Sequence, residues 1–100
     1  MNRMRPVHPG EILREEYLVP LGLSANALAA ALGVPANRIT LLAREARAVT
    51  ADTALRLARY FGTTPGLWLT LQATYDLRVA EREHGPAIRR AVRPRTRAAG

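Results

Sequence analysis

The sequence predicts an all-α fold of five helices, and three observations carry the prediction. Ala and Leu dominate the apolar residues, β-branched residues and aromatics are sparse, and Ala, Leu, Arg and Glu are strong helix formers. Apolar positions recur at helical spacing, as in Ile12, Leu13 and Tyr17, then Leu28 and Leu32, then Ala54, Leu57, Ala58 and Phe61. Between these stretches stand residues that start and stop helices: Ser24, Thr50 and Thr64 as N-caps, and Gly22, Gly33 and Gly62 as stops.

The first helix is expected from about Pro9 to Leu18. His8 precedes it, Pro9 suits its first position, and Glu11 suits its positive end. Pro20 and Gly22 should stop it. The second helix occupies 24–32, with Ser24 as cap and small alanines that let another helix come close. Gly33 ends it, because glycine enters the left-handed conformation without steric cost. Only Val34 then separates Gly33 from Pro35, which should open a third helix ending at Ala43. A fourth helix follows Thr50, carries Asp52 in its first turn and stops at Gly62. The fifth starts after Thr64 and should run to about Glu83, with Gly85-Pro86 as its end. The last stretch, AIRRAVRPRTRAAG, has no apolar period and reads as a mobile tail. The expected organisation is an N-terminal arm (1–7), a folded body (8–84) and an Arg-rich tail (85–100), with no internal repeat.

Two short helices joined by two or three residues with a glycine make a helix-turn-helix, in which the second helix lies in the major groove of DNA. With about 100° per residue and Ile39 at the centre of the buried side, Leu42, Ala43 and Pro35 fall inward. Asn37, Thr40, Leu41 and Arg44 fall outward, and Arg38 lies at the flank. Asn pairs with adenine, Thr bonds several bases, Arg prefers guanine or phosphate, and Leu41 could meet a thymine methyl or stand as an ordinary exposed leucine. Ser24 and Asn26 sit at the positive end of the second helix, where phosphate is favoured, although Ser24 also has a purely capping role open to it. Arg44 and Arg47 follow the reading helix as phosphate contacts.

Charge supports a polyanionic partner. The chain has a net charge of +7, with all fifteen basic residues arginine. The body between the ends is neutral but polarised: residues 9–16 are acidic and residues 38–59 basic. A basic stretch with basic ends is the electrostatic footprint of a phosphate-backbone binder.

Other classes fit poorly. There is no Cys, so disulfides and thiolate chemistry are excluded. His8 and His84 stand at opposite ends of the body, Ser24 is the sole serine, and no Gly-rich phosphate loop or spaced carboxylate cluster occurs. No enzyme, cofactor or metal is expected. No apolar run approaches the ~20 residues that span a bilayer, and the N-terminus has no apolar stretch of signal-peptide type. A cytoplasmic protein without membrane contact is expected.

HPGEIL (8–13), LGLS (21–24), ALGVPANRI (31–39), TADTALRLARYFGT (50–63) and WLTLQATYDL (68–77) resemble the HigA-type (VapI-type) antitoxins. These are a branch of the Xre/Cro-like (lambda-repressor-like) helix-turn-helix proteins. The resemblance covers roughly residues 6–83, and TADTALRLARYFGT is its most specific part. It implies an autorepressor that binds operator DNA as a homodimer. It also implies a small cognate toxin, usually a RelE-like ribosome-dependent mRNA endonuclease, which the antitoxin neutralises. It puts Ala36, Asn37, Arg38, Thr40 and Leu41 at base-facing positions, and Arg44 and Arg47 at backbone contacts. Two departures stand out. Where the family commonly has a glycine after the recognition helix, this chain has Arg44-Glu45-Ala46-Arg47. Either the helix extends or Glu45 takes a strained conformation costing on the order of 1 kcal/mol, and its carboxylate would face phosphate. Leu41 stands where relatives tend to be polar.

Helix five carries more apolar residues than one stripe needs, so it is expected to pair two copies, with Trp68, Leu71 and Tyr75 at the interface. Monomer core is the other reading for Trp68. The acidic first helix, through Glu11, Glu15 and Glu16, is the expected docking surface for a basic toxin. Three alternatives stay open: a regulator without a toxin, a helix-turn-helix that binds protein instead of DNA, and non-specific RNA binding through the tail.

Overall fold

The computed structural model describes residues 5–96; the outermost parts of the expected arm and tail, residues 1–4 and 97–100, lie outside the described residues. Among the described residues five helices and no strands form: α1 (residues 9–21), α2 (Ala25–Leu32), α3 (Ala36–Ala43), α4 (Ala51–Phe61) and α5 (Pro65–Ala91).

Four helices start on a side-chain cap. His8 Nδ1 accepts from Gly10 N–H at 2.8 Å, and Ser24 Oγ from Ala27 N–H at 3.0 Å. Thr50 Oγ1 accepts from Thr53 N–H at 3.4 Å, and Thr64 Oγ1 from Leu67 N–H at 3.2 Å. Each cap satisfies a donor that the first helical turn leaves unpaired. Between α2 and α3 the chain turns on Gly33 at φ 72°, with Gly33 N–H on the Ala30 carbonyl and Val34 N–H on the Ala29 carbonyl. This pair of bonds closes the helix end and sends the chain off at a new angle.

Two expected helix ends moved. α1 passes Pro20 and stops only at Leu21, before Gly22. It is not a regular α-helix: Leu13–Leu18 is a π-helical stretch, and Val19 N–H bonds to the carbonyl of Arg14, five residues back. The wider turn carries the chain to the proline, whose missing N–H could not have continued the ordinary ladder. α5 passes Gly85-Pro86 and ends at Ala91, so the first part of the expected tail is helical. Here the Glu81 carboxylate folds over bare Gly85, where a Cβ would meet it at 2.3 Å, and pairs with Arg89 at 2.5 Å, bridging the Gly-Pro step.

Every helix contributes to one core. Leu13 of α1, Leu28 of α2, Ile39 and Leu42 of α3, Leu57 of α4 and Trp68 of α5 are all fully buried. Each such side chain contributes about 1.5–3 kcal/mol by leaving water. Tyr17 packs on Phe61 and Trp68, with ring centroids 4.7 and 5.4 Å apart, and so joins α1, α4 and α5. α1 crosses the end of α3 so closely that Gly10 lies against the Leu42 carbonyl. No helix among the described residues is long and apolar enough to cross a membrane.

Candidate nucleic-acid interface

α2, the turn at Gly33 and α3 form the helix-turn-helix. The inward side of α3 is as expected for Ile39, Leu42 and Ala43, all buried. Pro35 differs: it is exposed and precedes the helix at ψ 146°, so Ala36 is the first helical residue. A proline has no side chain with which to cap, and α3 is the helix that begins without a side-chain cap bond. Arg38 N–H bonds to the Pro35 carbonyl at 3.0 Å, and the N–H groups of Ala36 and Asn37 are left to other partners.

The outward side brings most of the expected residues together. Ala36 and Asn37 are exposed on α3, Arg44 at its C-cap and Arg47 just beyond, and Ser24 and Asn26 are exposed at the start of α2. Arg44 and Arg47 have no acidic partner among the described residues. Thr40 and Leu41 are half-buried, so the leucine offers a partial apolar surface instead of a fully exposed one. Ser24 has the capping role.

Arg38 is half-buried and turned aside. Its guanidinium donates to Asp52 Oδ2 in the first turn of α4, and Arg56 Nε reaches the same oxygen at 2.9 Å. The bonds from Arg56 and Arg38 hold the Asp52 carboxyl below its usual pKa. Sequence spacing could not have shown this pairing of Arg38, since nothing local links residues 38 and 52.

The exit from α3 bears out the strained alternative at Glu45. Its φ is +64°, the sole positive φ outside glycine among the described residues. Glu45 N–H bonds to the Leu42 carbonyl at 2.9 Å and Ala46 N–H to the Leu41 carbonyl at 2.8 Å, so Glu45 fills the position a glycine would prefer. Its carboxylate pairs with Arg14 Nη2 at 3.2 Å, and Arg14 Nη1 also donates to the Ala43 carbonyl. A cation from α1 thus holds the last turn of α3 and partly neutralises the carboxylate expected to oppose phosphate.

Gln72, which the sequence reading passed over, supports the loop after α3. It is buried; its Oε1 accepts from Val49 N–H at 2.8 Å, and its Nε2 donates to Asp76 Oδ1 at 3.0 Å. A lone glutamine within the apolar run WLTLQ was the available signal.

Of the residues expected at a dimer interface, Trp68 faces its own chain's core, while Leu71 and Tyr75 are half-buried. Trp68 is fully buried and donates through Nε1 to Thr63 Oγ1 at 2.9 Å, so it offers no surface to a second copy. Leu71 packs on the core, and Tyr75 sits edge-on to His8 with centroids 4.8 Å apart. The large apolar residues that α5 leaves exposed are Leu67, Leu69, Leu77 and Ile88. On the acidic first helix, Glu11 is held by Arg5 at 2.8 and 3.0 Å and Glu15 by Arg14 at 3.0 Å. The first bond keeps the Glu11 carboxyl below its usual pKa.

The fold and the outward face of α3 define a helix-turn-helix protein, and a helix-turn-helix family model matches residues 13–68. Virulence-associated protein I of Dichelobacter nodosus is 60% identical over 82 residues, covering 82% of this chain and 76% of that protein. The solved structure of Pseudomonas aeruginosa antitoxin HigA with the higBA promoter superposes with a TM-score of 0.90 at 43% identity, covering 92% of this chain and 100% of that one. Antitoxin GraA in complex with its operator superposes with a TM-score of 0.89 at 50% identity, covering 96% and 97%. The chain belongs to the HigA-type (VapI-type) antitoxins of the Xre/Cro-like helix-turn-helix family. That family consists of DNA-binding regulators and not of enzymes.

Proposed function

We propose that this protein binds the operator of its own operon as a homodimer, represses it, and neutralises a cognate RelE-like mRNA endonuclease toxin in the cytoplasm. One observation carries the DNA-binding part. The outward side of α3 presents Asn37 at a helix start without a side-chain cap, and Arg44 and Arg47 follow it exposed and without an acidic partner among the described residues. These groups supply base readout and phosphate pairing, with Ser24 and Asn26 adding the positive end of α2. The solved relatives with promoter and operator DNA support the same reading. Pairing of Glu45 with Arg14 weakens the alternative of a helix-turn-helix that has left DNA.

An anisotropy titration against the protein's own upstream DNA and a scrambled duplex, at two salt concentrations, tests it. The upstream duplex should bind tighter by on the order of a thousandfold or more. Asn37→Ala combined with Arg38→Ala should abolish the preference. Equal, strongly salt-dependent binding of both duplexes by the native protein would refute sequence-specific repression. For the toxin, the exposed acidic side of α1 is the proposed docking surface. Unchanged toxin binding after charge reversal at Glu15 and Glu16 would refute that placement.

A further inference from the structure

One carboxylate oxygen of Asp52 joins α3 to α4, and Arg56 extends the link to α2. Arg38 of α3 donates to Oδ2, and Arg56 Nε, one turn along α4, lies 2.9 Å from the same atom. Arg56 Nη1 also donates to the Leu32 carbonyl at the end of α2, 2.7 Å away. Both helices of the helix-turn-helix are therefore tied to the first two turns of α4. The network engages the single cation in the first turn of α3, and Arg38 is the best covered of its three side chains, at 29% exposed.

We propose that Asp52 is the positioning residue for Arg38: it docks the guanidinium along the flank of α3 in one rotamer that suits the operator, and withholds it from other phosphates. This rests on the DNA-binding reading above. Arginine has among the most rotamer freedom to lose on being held. A side chain already docked loses less when DNA arrives, which favours the matching sequence. A released guanidinium pairs with any phosphate in reach and carries no sequence information. Asp52 thus acts on the preference for one DNA over another more than on the strength of binding to DNA in general. The carboxylate is half exposed, so added salt screens the network and weakens this control.

The test is Asp52→Asn, titrated against the upstream and scrambled duplexes over a range of salt concentrations, beside the native protein, Arg38→Ala and the double variant. Asp52→Asn should bind the scrambled duplex about fivefold tighter near physiological salt, with a salt slope steeper by about one, the mark of one more phosphate contact. Binding to the upstream duplex should weaken, so the preference falls by about tenfold. With Arg38→Ala in place, Asp52→Asn should change neither the scrambled affinity nor the slope. A carboxylate that only holds the fold together would lower both affinities in parallel at constant slope, and that result overturns the proposal. A steeper slope that persists without Arg38 also overturns it, because loss of one negative charge would then suffice. Native protein with no preference for upstream DNA would overturn the DNA-binding reading itself, before any variant is compared.

Discussion

Replacing Gly10 by alanine should destabilise the protein, although the same change inside most helices stabilises. Alanine is favoured over glycine in a helix by about 1 kcal/mol. At Gly10, however, an added Cβ would lie 1.8 Å from the Leu42 carbonyl oxygen and 3.0 Å from its carbon. That is roughly 1.5 Å short of an ordinary contact. Both sides of the contact are backbone, so no side chain can swing away; α1 or the end of α3 must move. Overpacking costs about 1–3 kcal/mol where side chains can adjust, and this site is worse. The same movement disturbs the His8 cap, 3.1 Å from the added atom, and losing a cap costs about 1 kcal/mol. The net expectation is a loss of about 2–4 kcal/mol, out of a total of about 5–15 kcal/mol for a domain. In a chain of this size that lowers the melting temperature by roughly 10–30 °C. Gly66→Ala is the internal control: it lies in the first turn of α5 and the nearest atom to its Cβ is Thr64 Oγ1 at 4.0 Å. It should melt at or a few degrees above the native protein. Thermal melts followed by far-UV circular dichroism read both variants. A Gly10→Ala protein that melts at or above the native temperature would refute the close approach of α1 to the recognition helix.

Three further outcomes follow from the same structure. Glu45→Gly relieves a left-handed strain of about 1–2 kcal/mol, offset by about 0.5–1 kcal/mol of glycine's unfolded freedom and about 0.5 kcal/mol for the exposed Arg14 pair. Its stability in denaturant melts should lie between about 0.5 kcal/mol below and about 1 kcal/mol above native, and at or above that of Glu45→Ala, which keeps the strain and loses the pair; the reverse order of the two variants would refute the strain reading. Burial holds the His8 imidazole below its usual pKa of 6.5, and its Nδ1 must be unprotonated to accept from Gly10. The unfolded chain takes up the proton first, so this stability is complete above about pH 6.5 and is lost as the pH falls through that value and on through the lower folded one. His8→Asn, which caps without titrating in that range, should flatten the melting temperature between about pH 7.5 and pH 5.5; an unchanged slope would refute the cap. Finally, Leu77 is 71% exposed on α5; light scattering should find the native protein dimeric, as proposed, and Leu77→Asp monomeric, and a variant that stays dimeric excludes this face.

The helix count was legible because caps and stops are local chemistry. Ser24, Thr50, Thr64, Gly33 and Gly62 act on backbone groups within a few residues, and their effect does not wait for tertiary structure. The same locality misled at the prolines. Pro20 and Pro86 remove a ladder bond wherever they stand, but a π-helical turn at Leu13–Leu18 precedes the first, the Glu81–Arg89 pair spans the second, and both helices continue. The inward and outward sides of α3 were legible from the 100° step, because Ile39 and Leu42 have only one place to go. Trp68 was not: helix five shows apolar residues all round, and periodicity cannot say which of them meets the core and which meets another molecule.

What the sequence could not show is how the recognition helix is held. The contacts that fix it join residues far apart in the chain: Gly10 and Arg14 to Leu42, Ala43 and Glu45, Arg38 to Asp52 and Arg56, and Gln72 to the exit loop at Val49. Each works on a different part of α3 or its loop, and each comes from a different helix. α1 grips the last turn, α4 holds the flank of the first turn, and α5 sets the loop that carries Arg47 to its place. A helix of eight residues is too short to be stable alone; its direction, and so its reading of DNA, is a property of this frame. Most of the frame residues are polar or glycine and lie outside the apolar period. They explain why motifs such as HPGEIL and TADTALRLARYFGT carry more information than a hydrophobic pattern needs: Gly10 is there for a backbone contact and Asp52 for an arginine on another helix.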